Sequence, residues 1–187
     1  MDNNMIKGFS SSKTAEWETP PDLYMDLDKE FVFTLDPCAT KSNAKCKKFF
    51  TKKDNGLVQD WSKDRVFMNN PYNKPEKVCK SNCKKETCLK RGWHRKKYLP
   101  GAIDWVRKAY NESLKGALVV GLLPARTDSE WFHDYVLGKA TEIRFLRGRV
   151  KFYFKGKLVN QTGFFPSIIV VWKPLVMTTK SKLKDAS

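Results

Sequence analysis

Residues 66–72 read Val-Phe-Met-Asn-Asn-Pro-Tyr, an apolar run followed at once by two amides, a proline and an aromatic ring. The apolar part predicts a buried strand over residues 66–69. Pro71 disfavours helical geometry at Asn70, so the chain leaves this strand in an extended turn. Because ligands of open α/β sheets bind beyond the carboxyl ends of the strands, the turn is a candidate binding or catalytic loop. Short motifs of this kind are also common in ordinary turns.

Two other predicted strands end in polar residues. Residues 31–36 form an apolar run that closes with Asp36, and residues 117–123 are almost wholly apolar and lead to Arg126 and Thr127. A nearly continuous apolar run is typical of a central parallel strand. In a parallel sheet, the side chains that follow these strands meet at one edge.

Helices are predicted between the strands. One begins with Thr19 as its N-cap, a second covers residues 103–114, and a third begins with Asp128 as its cap and ends near Gly138. The last third of the chain holds strand signals only, at residues 143–146, 150–154 and 168–172. This order predicts an α/β fold with a mostly parallel sheet and an antiparallel edge.

The composition indicates a folded protein with a polyanionic partner. The 187 residues carry 36 Lys plus Arg against 20 Asp plus Glu, a net charge of +16, with 41% hydrophobic residues. That hydrophobic content excludes a disordered basic tail. The longest apolar run, residues 117–125, is half of the roughly 20 residues that a bilayer requires, so we expect no membrane association. The first residues lack an apolar signal region, which predicts a cytoplasmic location.

Residues 74–97 carry ten basic and two acidic side chains, half of the net charge. They also contain the series Cys79-x3-Cys83-x4-Cys88-x5-His94. Thiolates and imidazole suit zinc, so we predict that these four residues hold a structural zinc ion; a chance cluster in a loop is the alternative. The surrounding cations predict contact with the phosphates of duplex DNA, with candidates Lys84, Lys85, Arg91 and Arg95.

The turn after residues 66–69 has the chemistry that the exocyclic amine of a nucleobase requires. Such an amine is a poor nucleophile because its lone pair is delocalised into the ring. The side-chain carbonyl of Asn69 and the main-chain carbonyl of Asn70 offer two acceptors that favour the amine as it gains positive charge. The ring of Tyr72 offers a face on which an extruded base can stack. The motif therefore predicts an amino-methyltransferase.

Ordered blocks over residues 17–174 carry a family resemblance. They include Trp17-Glu18-Thr19-Pro20, Leu35-Asp36-Pro37-Cys38-Ala39, Asp54-Asn55-Gly56-Leu57, Asn69-Asn70-Pro71-Tyr72 and Leu123-Pro124-Ala125-Arg126-Thr127-Asp128. In these blocks the chain resembles the phage-type DNA adenine-N6 methyltransferases, a Dam-like family of bacteriophages and prophages. The resemblance implies a Rossmann-like methyltransferase fold that uses S-adenosylmethionine.

The resemblance also implies which residues form the site. Donor binding falls to Trp17, Thr19, Pro20, Asp36, Pro37, Cys38, Ala39 and Asp54, and catalysis to Asn69, Asn70, Pro71 and Tyr72, which match the family's Asn-Pro-Pro-Tyr block. Asn70 stands where the first proline is usual. Because that position acts through its backbone carbonyl, we expect the change to be tolerated with some loss of rigidity. Thr40-Lys41-Ser42 replaces the Gly-x-Gly often seen after the first acid in other methyltransferases.

Two further groups of residues are candidates for DNA contact. Arg126 and Thr127 precede a predicted helix beside the expected cleft, where Arg126 can hold a phosphate or the extruded base. A basic strand pair with Arg144, Arg147, Arg149 and Lys151 predicts a DNA-contacting hairpin. In both groups an ordinary solvated surface is the competing interpretation.

Together these observations predict a phage- or prophage-encoded enzyme that methylates the N6 amine of adenine in double-stranded DNA. The alternatives are cytosine-N4 methylation, a non-catalytic zinc-containing nucleic-acid-binding protein on the same fold, and an RNA substrate. We expect a flexible N-terminus over residues 1–13, a methyltransferase domain over 14–174 with a basic insertion at 74–99, and a flexible basic tail over 175–187. We expect a monomer or weak dimer. Evasion of restriction and gene regulation are both consistent with this activity.

Overall fold

The computed structural model describes residues 17–154, 156–158 and 165–174. Residues 1–13 and 175–187, which were predicted to be flexible, lie outside the described residues. The helices and strands follow one another in the order α1 (Pro21–Phe31), β1 (Leu35–Asp36), β2 (Lys48–Phe49), β3 (Arg65–Met68), α2 (Glu86–Arg91), α3 (Ala102–Leu114), β4 (Leu118–Pro124), α4 (Glu130–Tyr135), β5 (Glu142–Phe145), β6 (Tyr153–Phe154), β7 (Lys157–Leu158) and β8 (Ser167–Trp172). No helix in the described part of the chain is long and apolar enough to cross a bilayer.

Six strands form one mostly parallel sheet in the order β2-β1-β3-β4-β8-β5. Strands β1 to β4 run parallel, with Leu35 opposite Val66 and Val66 opposite Val119. This confirms the predicted α/β class. The predicted position of the antiparallel strand is wrong, because β8 lies second from the edge and pairs antiparallel with both β4 and β5. All six residues of β8 are buried, whereas Phe145 at the end of β5 is exposed, so the more apolar strand takes the interior position.

Both faces of the sheet are covered, which explains why its central strands are apolar throughout. One face packs against α3 and α4 through Val66, Met68, Val119, Trp105 and Trp131. The other packs against α1 through Phe67, Val120, Leu122, Leu27 and Phe31. Successive residues of β3 and β4 therefore point to opposite layers, as strand geometry requires.

The predicted strand over residues 31–36 is wrong in its first half. Helix α1 continues through Phe31 and ends at Val32, which adopts a left-handed conformation with φ of 51°. Asp28 stabilises this end of the helix, because its main-chain carbonyl accepts the N–H of Val32 at 2.8 Å and its carboxylate accepts that of Phe33 at 2.7 Å. Only Leu35–Asp36 remains as strand β1.

Two predicted helix caps are also wrong. The N-cap of α1 is Pro20, because the hydroxyl of Thr19 accepts a hydrogen bond from Asn69 instead of capping the helix. The N-cap of α4 is Ser129, one residue after Asp128. A main-chain hydrogen bond from Ser129 to the carbonyl of Arg126 forms a turn before the helix and moves its start past Asp128.

One buried carboxylate ties the loop before β3 to helix α3. Glu112 is completely buried and accepts the main-chain N–H of Trp61 at 2.8 Å. It also accepts hydrogen bonds from the ammonium groups of Lys108 at 2.9 Å and Lys115 at 2.8 Å. Burial alone would raise the pKa of Glu112, but the two ammonium groups and this N–H hold it below the ordinary value of 4.5. The loop is therefore fixed by charge as well as by packing.

The basic segment after β3 leaves the sheet and returns to it through a closed base. Glu76 and Leu99 pair antiparallel, with main-chain N–H to carbonyl distances of 2.9 and 3.0 Å. The side-chain amide of Asn73 donates to the carbonyl of Pro100 at 2.9 Å just below this pair. The segment thus projects from the carboxyl end of β3 and rejoins the fold before α3.

Candidate functional site

The carboxyl ends of β1 and β3 lie side by side. Leu35 pairs with Val66 in parallel register, so the loop from Asp36 and the loop from Asn69 leave the sheet at the same edge. Cys38 and Tyr72, one from each loop, pack against the same core cluster. Burial raises the pKa of Tyr72, and the nearby Cys38 thiol adds to this effect. The structure therefore brings together the two blocks that the sequence predicted to be neighbours.

The side chain of Asn69 joins this edge to the segment before α1. Its amide nitrogen donates to the main-chain carbonyl of Trp17 and to the hydroxyl oxygen of Thr19, both at 3.0 Å. These two acceptors fix which end of the amide is nitrogen and which is oxygen. The carbonyl oxygen of Asn69 therefore points toward Tyr72.

The hydroxyl of Tyr72 has one hydrogen and two acceptors within reach. It lies 2.6 Å from Oδ1 of Asn69 and 2.8 Å from the main-chain carbonyl of Leu122 on β4. When the hydrogen is donated to Leu122, Oδ1 of Asn69 is left without a donor. The half-buried ring of Tyr72 packs edge-on against Phe165, with ring centroids 5.4 Å apart.

Asn70 is buried, although it stands in a turn. Only 3% of the residue is exposed, and its side-chain nitrogen donates to the carbonyl of Pro71 at 2.9 Å. Its Oδ1 atom is buried and has no hydrogen-bond partner among the described residues. The side-chain nitrogen of Asn70 thus stabilises the turn, while its side-chain oxygen accepts no hydrogen bond from the described residues.

Asp36 organises the loop that follows β1. Its carboxylate accepts the main-chain N–H groups of Cys38 at 3.2 Å and Lys45 at 3.1 Å. Burial raises the pKa of Asp36, and the two N–H groups counteract only part of this rise. Burial also raises the pKa of the Cys38 thiol, and the nearby Asp36 carboxylate raises it further, so this thiol stays protonated at neutral pH.

The third predicted donor-binding block approaches the same loop. A Cβ atom at Gly56 would lie 2.2 Å from the carbonyl oxygen of Pro37, so only glycine permits this contact. The prediction gave Gly56 no role, although a glycine two residues after an acid was a visible signal. Asp54 itself is exposed and accepts hydrogen bonds from the Thr51 hydroxyl at 2.6 Å and N–H at 2.9 Å, which lower the pKa of its carboxyl group.

Among the predicted DNA contacts outside the basic segment, most are exposed cations. Arg126 and Thr127 follow β4 at the same edge as the Asn69 loop. Arg147, Arg149 and Lys151 are exposed and make no ion pair within the described residues. They do not form the predicted hairpin with residues 143–146, because β5 pairs with β8. Arg144 points elsewhere: its guanidinium binds Glu30 and Glu142, each with an N–O distance of 2.6 Å.

The four predicted zinc ligands come together in the basic segment. Their Sγ and imidazole nitrogen atoms all lie within 4.8 Å of one another. The sulfur of Cys88 is 3.5 Å from that of Cys79 and 3.8 Å from that of Cys83. Tetrahedral zinc with metal–sulfur bonds of about 2.3 Å requires ligand separations of about 3.8 Å. Spacing and donor type therefore both fit zinc.

Hydrogen bonds favour the thiolate form at one of these cysteines. Burial works against ionisation of Cys79, but the main-chain N–H of Arg95 lies 3.3 Å from its sulfur and, with the neighbouring ligands, lowers its pKa to about 7. Burial and the neighbouring sulfurs raise the pKa of Cys88. A thiolate is the form that binds a metal ion.

The cations of the basic segment fall into two groups. Arg91 and Arg95 both bind Oε2 of Glu76, at 2.8 and 2.7 Å, and these contacts lower the pKa of Glu76 to about 2. Lys84 and Lys85 are exposed and make no ion pair within the described ranges. The two arginines therefore help to hold the segment together, while the two lysines face solvent.

Comparisons with known proteins give a consistent result. A family model described as DNA N-6-adenine-methyltransferase (Dam) matches residues 9–185. The DNA N-6-adenine-methyltransferase of Haemophilus phage HP1 is 27% identical over 168 residues, which cover 84% of this chain and 78% of that protein. The DNA N-6-adenine-methyltransferase of Escherichia phage T1 is 32% identical over 62 residues, 32% of this chain and 26% of that protein. No solved structure matches the chain.

Proposed function

Because the chain belongs to the DNA N-6-adenine-methyltransferase (Dam) family, we propose that it transfers a methyl group from S-adenosylmethionine to the N6 amine of adenine in double-stranded DNA. The observation that carries this proposal is the single edge at which the Asp36 and Asn69 loops meet, with Asn69 bonded to the segment before α1. A donor-binding loop and an amine-binding loop must lie side by side for direct transfer.

The topology supports a Rossmann-like methyltransferase fold. Across the sheet, the four parallel strands β2, β1, β3 and β4 come first, and the antiparallel strand β8 lies beside β4. The edge strand β5 runs in the same direction as the first four. We propose that residues 14–174 form one methyltransferase domain and that residues 74–99 are an insertion in it. The two relatives named above come from phages of Haemophilus and Escherichia, so we place the activity in the cytoplasm of a bacterial host.

Three blocks suit the methyl donor. When bound, S-adenosylmethionine supplies a methyl group on a positively charged sulfur. The buried carboxylate of Asp36 uses two main-chain donors and retains lone pairs for a cationic group. Gly56 brings the loop of Asp54 against the loop of Asp36. We assign donor binding to these loops and to the segment that precedes α1, with the residues Trp17, Thr19, Pro20, Asp36, Pro37, Cys38, Ala39 and Asp54.

Asn69 and Asn70 bind the target amine in this proposal. Once Tyr72 donates its hydrogen to Leu122, Oδ1 of Asn69 is free to accept one N–H of the amine. The main-chain carbonyl of Asn70 accepts the other, and Pro71 and the side-chain bond of Asn70 hold that peptide in place. Both acceptors favour the amine as it becomes positively charged during methyl transfer.

Tyr72 positions the base, and no general base is required. Its ring offers a face for the extruded adenine, while its hydroxyl anchors it to β4. After transfer the nitrogen carries an extra proton and a positive charge, and it releases that proton to water. Asp36 is not assigned this role, because we assign its carboxylate to donor binding.

Exposed cations on two sides of this edge suit the DNA backbone. Arg126 and Thr127 follow β4 beside the amine-binding loop, and Lys84 and Lys85 project from the insertion. We also assign backbone contacts to Arg147, Arg149 and Lys151. Arg91 and Arg95, which bind Glu76, contribute through the shape of the insertion as well as its charge. Such contacts give affinity that falls as salt rises.

We further propose that Cys79, Cys83, Cys88 and His94 hold zinc. Three thiolates and one imidazole within 4.8 Å are a donor set that zinc prefers. The role of the ion is structural, because four protein ligands leave no open position for a substrate. A segment rich in charged residues has little core of its own, and a metal clip supplies the missing stability.

A non-catalytic DNA-binding protein is the second candidate. The contact between Tyr72 and Oδ1 of Asn69 favours it, because this hydrogen bond occupies the predicted acceptor. Incubation with labelled S-adenosylmethionine and unmodified duplex DNA, followed by nucleoside digestion, distinguishes the candidates. We expect label in N6-methyldeoxyadenosine, and an excess of duplex RNA should not compete. Label in N4-methylcytosine would change the assigned base, and unlabelled DNA despite tight binding would support the non-catalytic candidate.

A further inference from the structure

The insertion presents an aromatic ring to solvent and holds it there. Trp93 is 51% exposed, although a tryptophan of this size is usually mostly buried. The guanidinium carbon of Arg91 lies 4.0 Å from the centre of the ring, and that of Arg95 lies 5.2 Å away. The ring therefore has two guanidinium groups over it, while about half of the residue remains exposed.

Both guanidinium groups are themselves fixed. Glu76 binds Arg91 and Arg95 through a single carboxylate oxygen, and its main chain pairs with Leu99 at the base of the insertion. The Nε–H of Arg91 donates to the main-chain carbonyl of Trp93 at 3.1 Å. This chain of contacts orients the ring relative to the sheet.

The surroundings of the ring favour a nucleic acid as its partner. Lys84, Lys85, Lys96 and Lys97 are exposed in the same insertion and make no ion pair among residues 17–154. A flat aromatic surface in a segment that also carries unpaired lysines matches a base next to its phosphates. A protein partner would instead require acidic groups to balance these lysines.

We propose that Trp93 stacks on a nucleobase of the bound DNA and forms a second base-binding position, separate from the turn at Asn69. This inference rests on the proposed function, because it takes DNA as the substrate. The insertion thereby contributes to affinity through a base as well as through phosphates. It gives the enzyme a contact that distinguishes DNA with an accessible base from a bare phosphate chain.

The test compares two single strands of equal length and charge, an oligothymidylate and a strand of abasic residues, in the absence of methyl donor. Trp93→Leu should weaken oligothymidylate binding about 5- to 150-fold, the loss expected for one stacked base, with much less effect on the abasic strand. The slope of affinity against salt should not change, because no charge is removed. Leu89→Ala is the matched control, since Leu89 is 66% exposed in the same insertion but is not aromatic.

If Trp93→Leu lost the same affinity for both strands, or lost none for either, the proposal would be overturned. An equal loss could also arise if the substitution unfolded residues 74–99. Trp93→Phe decides that case: a retained preference for oligothymidylate supports stacking, and a lost preference overturns it. Methyl transfer to duplex DNA is measured separately. A protein that methylates adenine but binds both strands equally keeps the proposed function and refutes only this contact.

Discussion

Tyr72→Phe separates the two roles assigned to this residue. The substitution keeps the ring and removes a hydroxyl that lies 2.6 Å from Oδ1 of Asn69 and 2.8 Å from the carbonyl of Leu122. One hydrogen bond is lost at a half-buried residue, and one acceptor is left unpaired. We expect the free energy of unfolding to fall by about 1–2 kcal/mol. Methyl transfer should stay within a few-fold of the wild type, because the ring still stacks and Asn69 gains a free acceptor.

Tyr72→Ala should behave differently in the same assays. It removes the ring, so kcat/KM should fall about 5- to 150-fold, equivalent to about 1–3 kcal/mol of stacking. Urea denaturation measures stability, and labelled methyl incorporation measures turnover. Tyr110→Phe is the control, because the hydroxyl of Tyr110 forms no hydrogen bond within the described residues. If Tyr72→Phe lost as much turnover as Tyr72→Ala, the hydroxyl would be the functional group and the stacking role would be refuted.

Three further predictions concern stability and the metal. Glu112→Gln should lower the free energy of unfolding by roughly 2 kcal/mol at pH 7. The pKa of Glu112 is lowered in the fold, so its contribution to the free energy of unfolding is complete above the unfolded pKa of 4.5 and disappears as pH falls through the folded pKa. The acid unfolding curves of variant and wild type should therefore converge at low pH. Parallel curves would contradict the assigned ion pairs. Asn70→Asp should destabilise the fold by about 2–4 kcal/mol at pH 7, because it buries a charge. Burial raises the pKa of such a carboxyl group, so the difference in melting temperature from the wild type should shrink as pH falls and disappear below about pH 4; a difference that does not change with pH would mean that Asn70 is not buried. Metal analysis should find about one zinc per chain, lost in Cys83→Ser and kept in Cys46→Ser; a metal-free wild type would exclude the site.

Local patterns predicted much of this fold. The apolar runs at residues 66–68, 117–123 and 168–172 form the interior strands. A strand that is buried on both faces must be apolar along its whole length, so its sequence shows it directly. The convergence of Cys79, Cys83, Cys88 and His94 was also predictable, since these residues lie close in the sequence. The boundary at residues 31–36 was not, because the left-handed Val32 depends on two contacts of Asp28 that apolar periodicity does not report.

Long-range contacts account for two other errors. Arg144 was assigned to a DNA-contacting hairpin, but its partner Glu30 lies 114 residues away, and no local pattern indicates that pair. The bond between Asn69 and Thr19 spans 50 residues and turns a predicted helix cap into part of the candidate site. Such contacts form only once the sheet has brought distant segments to one edge.

The proposed function depends on Asn69, which binds the amine that receives the methyl group. The most direct test is the single-turnover rate of methyl transfer by Asn69→Ala, with binding of S-adenosylmethionine measured by calorimetry on the same sample. Asn111→Ala serves as the control, because Asn111 is exposed on helix α3. We predict that Asn69→Ala still binds the donor but transfers no detectable methyl group, while Asn111→Ala retains the wild-type rate. A transfer rate of Asn69→Ala close to that of the wild type would contradict the account.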